Sequence, residues 1–201
     1  MDSGDNRRVK IDETGKTGPL PIAISVAITG VMVFVLWYLG RIWWCKSGDM
    51  AIYVHQAWNS SHTSQHCLDP YTFTHILHGV QFFWLARLLF PRLGNGWRFL
   101  IAATVEAAWE VLENTNFIID KYRTNTASLD YFGDSIMNSV GDMAACAVGF
   151  WIAVKLGAWR SLIFFLAVEI VLLLWIRDGL LLNILMLIFP IDGIKQWQAA
   201  M

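Results

Sequence analysis

Residues 20–39 read LPIAISVAITGVMVFVLWYL, twenty positions without a charged side chain. Crossing the hydrocarbon core of a bilayer takes about 20 mostly apolar helical residues. The run has that length. It ends in Trp37 and Tyr38, with Trp43 and Trp44 close behind, the aromatic pattern of a lipid–water boundary. It is too long for the apolar core of a signal peptide, and no small-residue cleavage site follows it, so it predicts an uncleaved first span.

Four further stretches read the same way: Tyr71–Phe90, Phe99–Ile119, Asp134–Val154 and Ser161–Ile176. The last is short, with Trp159 and Trp175 near its ends. Another apolar run, Leu180 to Ile191, is too short to span with ease. It predicts an interfacial or re-entrant segment, or a continuation of the fifth helix after a break at Asp178-Gly179. The expected fold is all-α: a polytopic membrane bundle of about five transmembrane helices, forming one domain over 19–201. The polar, mixed-charge stretch 1–18 predicts a disordered cytoplasmic tail.

Composition agrees. The chain is 56% hydrophobic and 15% charged, where a soluble domain carries about 25% charged residues. A net charge of −1 leaves no basic footprint for nucleic acid. No internal repeat is visible.

Lysine and arginine in short loops set orientation. With the N-terminus inside, the inner segments carry Arg7, Arg8, Lys10 and Lys16, then Arg87, Arg92 and Arg98, then Lys155 and Arg160. The outer segments carry Arg41, Lys46, Lys121, Arg123, Arg177 and Lys195, spread over more residues. The bias predicts a cytoplasmic N-terminus in a bacterial inner membrane. It places loops 41–70 and 120–133 outside. Cys45 and Cys67 flank the first of these loops; a disulfide closing it and two unpaired thiols both remain open.

The ionisable residues inside the spans are the functional signal. Each costs about 3 kcal/mol at a helix centre, so it needs a partner, a water cavity or a function. The second span opens with Asp69-Pro70, a plausible N-cap and first helical proline, and continues to His75 and His78, one turn apart. The third holds Glu106, Glu110 and Glu113 at spacings that share one face. The fourth follows Asp130 with Asp134, Asn138 and Asp142, each four apart. Gly141, Ala144, Ala145 and Gly149 predict a close approach of a neighbouring helix. At ~1.5 Å per residue the three stripes fall at matching depths below the outer surface, which predicts one outward-opening pocket. Glu169 in the fifth span is a second-tier member. The bland alternatives are histidines bonded within their own helix, a solvated glutamate face, and Asn and Ser acting as helix adhesive.

At these residues the chain resembles an uncharacterised family of alphaproteobacterial multi-pass inner-membrane proteins. Over residues 69–150 it also resembles, more distantly, the VanZ-like family, on Asp69 with His75 or His78, on Glu110 and Glu113, and on Asp130, Asp134, Asn138 and Gly141. Glu106, Asp142 and the second histidine lie outside that pattern. The resemblance implies a multi-pass, envelope-associated protein acting on a lipid or cell-wall precursor.

Three functions follow. One is a metal-dependent hydrolase or transferase: His75, His78 and Glu110 or Asp134 would be ligands to a divalent ion, zinc by preference. Glu113 or Asp142 would be the general base, with Glu106, Asn138, Asp130 and Asp69 lining the pocket. The second is a small ion- or proton-coupled transporter or flippase. The third is a non-catalytic protein with a structural polar core. The implied partners are membrane lipids and a lipid-linked substrate, with a homo-oligomer left open.

Overall fold

Helix α1, Pro19–Tyr38, begins with proline in its first turn, where a missing N–H is harmless. It ends in a Schellman turn: Gly40 takes φ +80°, its N–H bonds to the Trp37 carbonyl, and the Arg41 N–H reaches back to Leu36. A computed structural model describes residues 18–55 and 60–200; the tail expected at 1–18 lies almost wholly outside them. Among the described residues the regular structure is helical, apart from one isolated bridge between Tyr53 and Leu68. The other helices are α2 Thr72–Leu89, α3 Asn95–Glu113, α4 Asn116–Asn125, α5 Ile136–Ile176, α6 Leu180–Ile188 and α7 Asp192–Ala199.

Asp69 caps α2 as its sequence predicts. Its Oδ1 accepts the N–H groups of Tyr71 (2.8 Å) and Thr72 (3.2 Å), and Oδ2 accepts that of Ser64 (3.2 Å). Arg98, near the start of α3, donates to the carbonyls of Phe90 (3.3 Å) and Pro91 (2.8 Å) and to Asn95 (3.1 Å). It therefore clamps the α2–α3 turn and satisfies the open end of α2. Ser135 caps α5 by accepting the Asn138 N–H at 3.1 Å.

Helix α5 has 41 residues and is broken by Gly157 at φ +72°, ψ −174°. The chain reverses there. Phe150 packs beside Phe83 and Phe99, and Ser161, just past the break, accepts the indole N–H of Trp84, late in α2. Beyond it, Trp175 meets Phe73 and Asp178 accepts the Tyr71 hydroxyl, both at the start of α2. The two arms thus run antiparallel, where the sequence predicts separate helices joined by a loop. A left-handed glycine replaces the loop because no side chain has to be accommodated at that φ.

The third stretch departs from its expected end at Ile119. It stops at Glu113, and a new helix, α4, starts at Asn116. The Asn114 amide donates back to the Glu110 carbonyl and across to Asp134, which turns the chain away. The apolar run after Asp178 splits in two around Pro190, which cannot continue a helix.

Helices α1, α2, α3 and α5 form the core around Phe150, Leu36, Met32, Phe83, Phe99 and Ala103. The crossing of α2 on α5 is backbone to backbone. A Cβ on Gly79 would stand 2.0 Å from the Cys146 carbonyl oxygen, and one on Gly149 would stand 1.8 Å from that of Ile76. Gly141 sits as tightly against the Cys67 carbonyl. The expected close approach is therefore present. Two helices, α1 and α5, are long and apolar enough to cross a membrane. Their outer faces are bare: Leu174 is 82% exposed and Val26 68%.

Candidate His–carboxyl site

Helix α2 begins at the end of the bundle where α3 finishes and α5 starts. His75 and His78 from α2, Glu106, Glu110 and Glu113 from α3, and Asp134, Asn138 and Asp142 around the start of α5 therefore share one end. Glu106 and Glu110 are fully buried, at 0% exposure. Glu106 joins the two histidines. His75 Nδ1 lies 2.6 Å from its Oε1, and His78 Nδ1 lies 3.0 Å from its Oε2. A carboxylate only accepts, so each Nδ1 carries a hydrogen, and in a neutral ring Nε2 keeps its lone pair. His75 Nε2 stands 3.8 Å from Asp142 Oδ2. Glu110 Oε1 is 3.5 Å from His75 Nδ1, too far for a hydrogen bond, and neither Glu110 oxygen has a hydrogen-bond partner. The same holds for Asp142 Oδ1.

A cavity opens beside this cluster. It is lined by His75, His78, Glu113, Asp134, Asn138 and Asp142, with Tyr71, Trp109, Tyr122 and Tyr131 among its walls. Water-sized centres have about 60 Å³ of it, room for a few molecules when one needs roughly 10–15 Å³. Among the described residues no lysine or arginine lines it. Arg41, from the neighbouring loop, donates instead to the Phe132 carbonyl at 2.7 Å.

Among the remaining predicted residues, Asp134 has a hydrogen-bond donor on each carboxyl oxygen. It accepts the Tyr131 hydroxyl (2.9 Å) and the Asn114 amide (2.8 Å), while its own N–H donates to Asn114 Oδ1 (2.8 Å). Asn138 donates to the His66 carbonyl at 2.8 Å and so ties the α1–α2 loop to α5. Asp69 is a helix cap outside the cavity wall. Burial pushes its carboxyl up to about 7, against the opposing pull of its backbone hydrogen bonds. Asp130 is exposed in the α4–α5 loop and does not join the group. Glu169 pairs elsewhere, accepting the Leu180 N–H at 2.8 Å and so capping α6.

Two features escape the sequence reading. Glu106 acts as the hub of the cluster rather than as lining, which only the fixed side-chain geometry reveals. Cys45, His62 and His66 also converge; the His-x3-His spacing at 62 and 66 is the signal that points to them. Cys45 and Cys67 are unpaired thiols: Cys45 Sγ faces Ser47 Oγ at 2.9 Å and His62 Nδ1 at 3.4 Å, while Cys67 packs under Gly141.

The fold and the site together define a small all-helical protein with two long apolar helices and a buried histidine–carboxyl cluster at one end. The chain belongs to the family described as "Protein of unknown function (DUF2585)", whose pattern matches residues 36–200 and so includes every residue of the cluster. It is 44% identical over 181 residues to a UPF0314 protein of Brucella anthropi, covering 89% of this chain and 90% of that one. It is 42% identical to a UPF0314 protein of Paracoccus denitrificans, covering 89% and 92% of the two chains. A third relative, from Rhizobium meliloti, is 40% identical over 190 residues, covering 94% and 95%. No solved structure matches.

Proposed function

We propose that this is a multi-pass inner-membrane protein with its N-terminus in the cytoplasm. In this reading the His–carboxyl cavity binds a divalent cation, zinc by preference, and acts as a hydrolase or transferase on the head group of an envelope lipid or cell-wall precursor. One observation carries the metal: five carboxyls (Glu106, Glu110, Glu113, Asp134 and Asp142) gather around two histidines with no lysine or arginine among the described residues of the cavity wall. Even with both histidines charged, three negative charges remain, and burial makes that excess costly without protons or a cation.

The donor set fits. Glu106 holds both imidazoles by Nδ1, the usual arrangement behind a metal-bound histidine, and leaves both Nε2 atoms free. The ligand atoms of His75, His78 and Glu106 lie within 4.8 Å of one another, as do those of His75, Glu110 and Glu113, and either group would hold the ion. The ion would supply an activated water or a Lewis acid. Glu113 lies on the cavity wall beside Tyr122, placed to take a proton. The bare apolar faces of α1 and α5 support the membrane setting, and the VanZ-like likeness over 69–150 supports an envelope substrate.

The test is metal content by mass spectrometry on full-length protein purified in detergent and exposed to zinc. His75→Ala/His78→Ala should lose one equivalent. Unchanged zinc in that double variant overturns the proposal. Head-group loss from an inner-membrane lipid extract, absent in Glu113→Gln, reads the reaction. A proton-coupled transporter is the second reading, favoured by the contiguous His75–Glu106–His78 hydrogen bonds; proton-driven uptake by zinc-free protein in liposomes would select it.

A further inference from the structure

Outside the cavity, one other group of side chains gathers metal-binding atoms: Cys45, His62 and His66, all in the segment between α1 and α2. Cys45 Sγ lies 3.4 Å from His62 Nδ1, and His62 Nδ1 lies 3.1 Å from His66 Nε2. Asp49 Oδ2 is 3.8 Å from the same His62 nitrogen. The donor atoms of Cys45, His62 and His66 all lie within 4.8 Å of one another, while Asp49 neighbours His62 alone.

We infer that Cys45, His62 and His66 form a three-residue zinc site that clasps the α1–α2 segment onto the bundle, with the fourth tetrahedral position taken by water. The separations support it. Zinc takes sulfur at ~2.3 Å and nitrogen at ~2.0–2.1 Å, which makes tetrahedral edges of about 3.3 Å between nitrogens and about 3.5 Å from sulfur to nitrogen. The observed 3.1 and 3.4 Å fall just inside those edges.

The surroundings orient the donors. His66 Nδ1 faces the Ala51 carbonyl at 2.6 Å, so it carries the hydrogen and leaves Nε2 as an acceptor turned toward His62. Asp49 Oδ1 accepts the Ala51 N–H at 2.9 Å, leaving Oδ2 on the His62 side. Without a metal, His62 Nδ1–H can donate to His66 Nε2 while the Cys45 thiol donates to Ser47 Oγ, which leaves the Cys45–His62 contact without a hydrogen of its own. A cation serves all three residues. The His-x3-His spacing at 62 and 66 is also that of a paired zinc-ligand turn.

The role is structural. The His66 carbonyl accepts from Asn138, and Ser64 holds φ +54° between His62 and His66. Thr63 and Ser64 are themselves walls of the His–carboxyl cavity. Fixing both ends of that turn would hold one wall of the cavity in place. A thiolate–metal bond would thus take the loop-closing part that a disulfide plays elsewhere.

Cobalt(II) titration of the full-length protein in detergent tests this independently of the first site, which contains no thiol. One equivalent should give the intense visible bands of tetrahedral cobalt with a near-ultraviolet thiolate-to-cobalt charge-transfer band. Cys45→Ser and His62→Gln should each abolish the charge-transfer band. Cys67→Ser and His75→Ala/His78→Ala should keep it. A charge-transfer band that is absent from the wild type, or that survives in Cys45→Ser, overturns the assignment. Two ligand variants and a thiol control separate lost binding from lost folding, since Cys67→Ser removes a thiol of the same segment.

Discussion

Asp178 shows how a single buried carboxyl sets the pH response of this fold. It follows the second arm of α5, accepts the Gly179 N–H at 2.9 Å and the Tyr71 hydroxyl at 3.2 Å, and is 5% exposed. Burial pushes its carboxyl up from 3.8 to about 6, although those hydrogen bonds pull the other way. The fold therefore holds this proton more tightly than the unfolded chain does. Its contribution is full below about pH 4 and is lost as the pH rises through 6. Asp178→Asn removes the ionisation and keeps an acceptor for Gly179. We expect thermal unfolding in detergent to show the variant more stable than wild type at pH 8, by at most about 2–3 kcal/mol. The two should converge at pH 4. A gain of the same size at pH 4 would show that ionisation is not the cause.

Among the elements, the α2–α5 crossing is the tightest joint, and glycine makes it possible. Gly149→Ala would drive a Cβ to 1.8 Å from the Ile76 carbonyl oxygen, a backbone atom that cannot swing aside. Overpacking of this kind costs about 1–3 kcal/mol, more where backbone must move, and here the separation would also disturb His75 beside Ile76. Gly30 in α1 has open space around its Cβ position, so Gly30→Ala should be neutral or slightly stabilising. Equal effects of the two changes on the unfolding midpoint would contradict the joint. The same elements show what could be read beforehand. Helical spacing and apolar runs located α1, α2, most of α3 and both arms of α5, and placed His75, His78, Glu110, Glu113 and Asp142 at matching depths, with Glu106 deeper. They placed a reversal between 154 and 161 but not its form, a single glycine at φ +72° in place of a loop, because glycine φ leaves no trace in an apolar pattern. Nor did they reveal the stop at Glu113, which depends on Asn114 finding Asp134 twenty residues away. Glu106 looked like one of three equivalent glutamates; only packing singles it out as the acceptor of both imidazoles.

For the whole molecule, the short basic loops lie at the end away from the carboxyl cluster, while Arg41, Lys46, Lys121, Arg123, Arg177 and Lys195 at the cluster's end are spread over longer segments. Pro19, the α2–α3 turn with Arg92, and the Gly157 reversal flanked by Lys155 and Arg160 share the end away from the cavity, since α1 arrives beside Phe132 and Trp84 meets Ser161. Positive charge in short loops marks the cytoplasmic side. Under the topology proposed above, the cavity, α4 and the Cys45–His66 segment would face the periplasm, where a head group of the outer leaflet and free zinc would both be within reach. Reporter fusions provide the check. An alkaline phosphatase domain joined after Leu129, in the α4–α5 loop, should be active, and one joined after Leu93, in the α2–α3 turn, inactive. A cytoplasm-dependent reporter at the same two points should give the opposite pair. The reverse pattern would turn the cavity toward the cytoplasm and replace an envelope precursor outside the cell with a substrate on the inner leaflet. Release of the full-length protein by alkaline carbonate would remove the membrane setting altogether, because α1 and both arms of α5 would then have to bury the faces that Val26 and Leu174 leave bare.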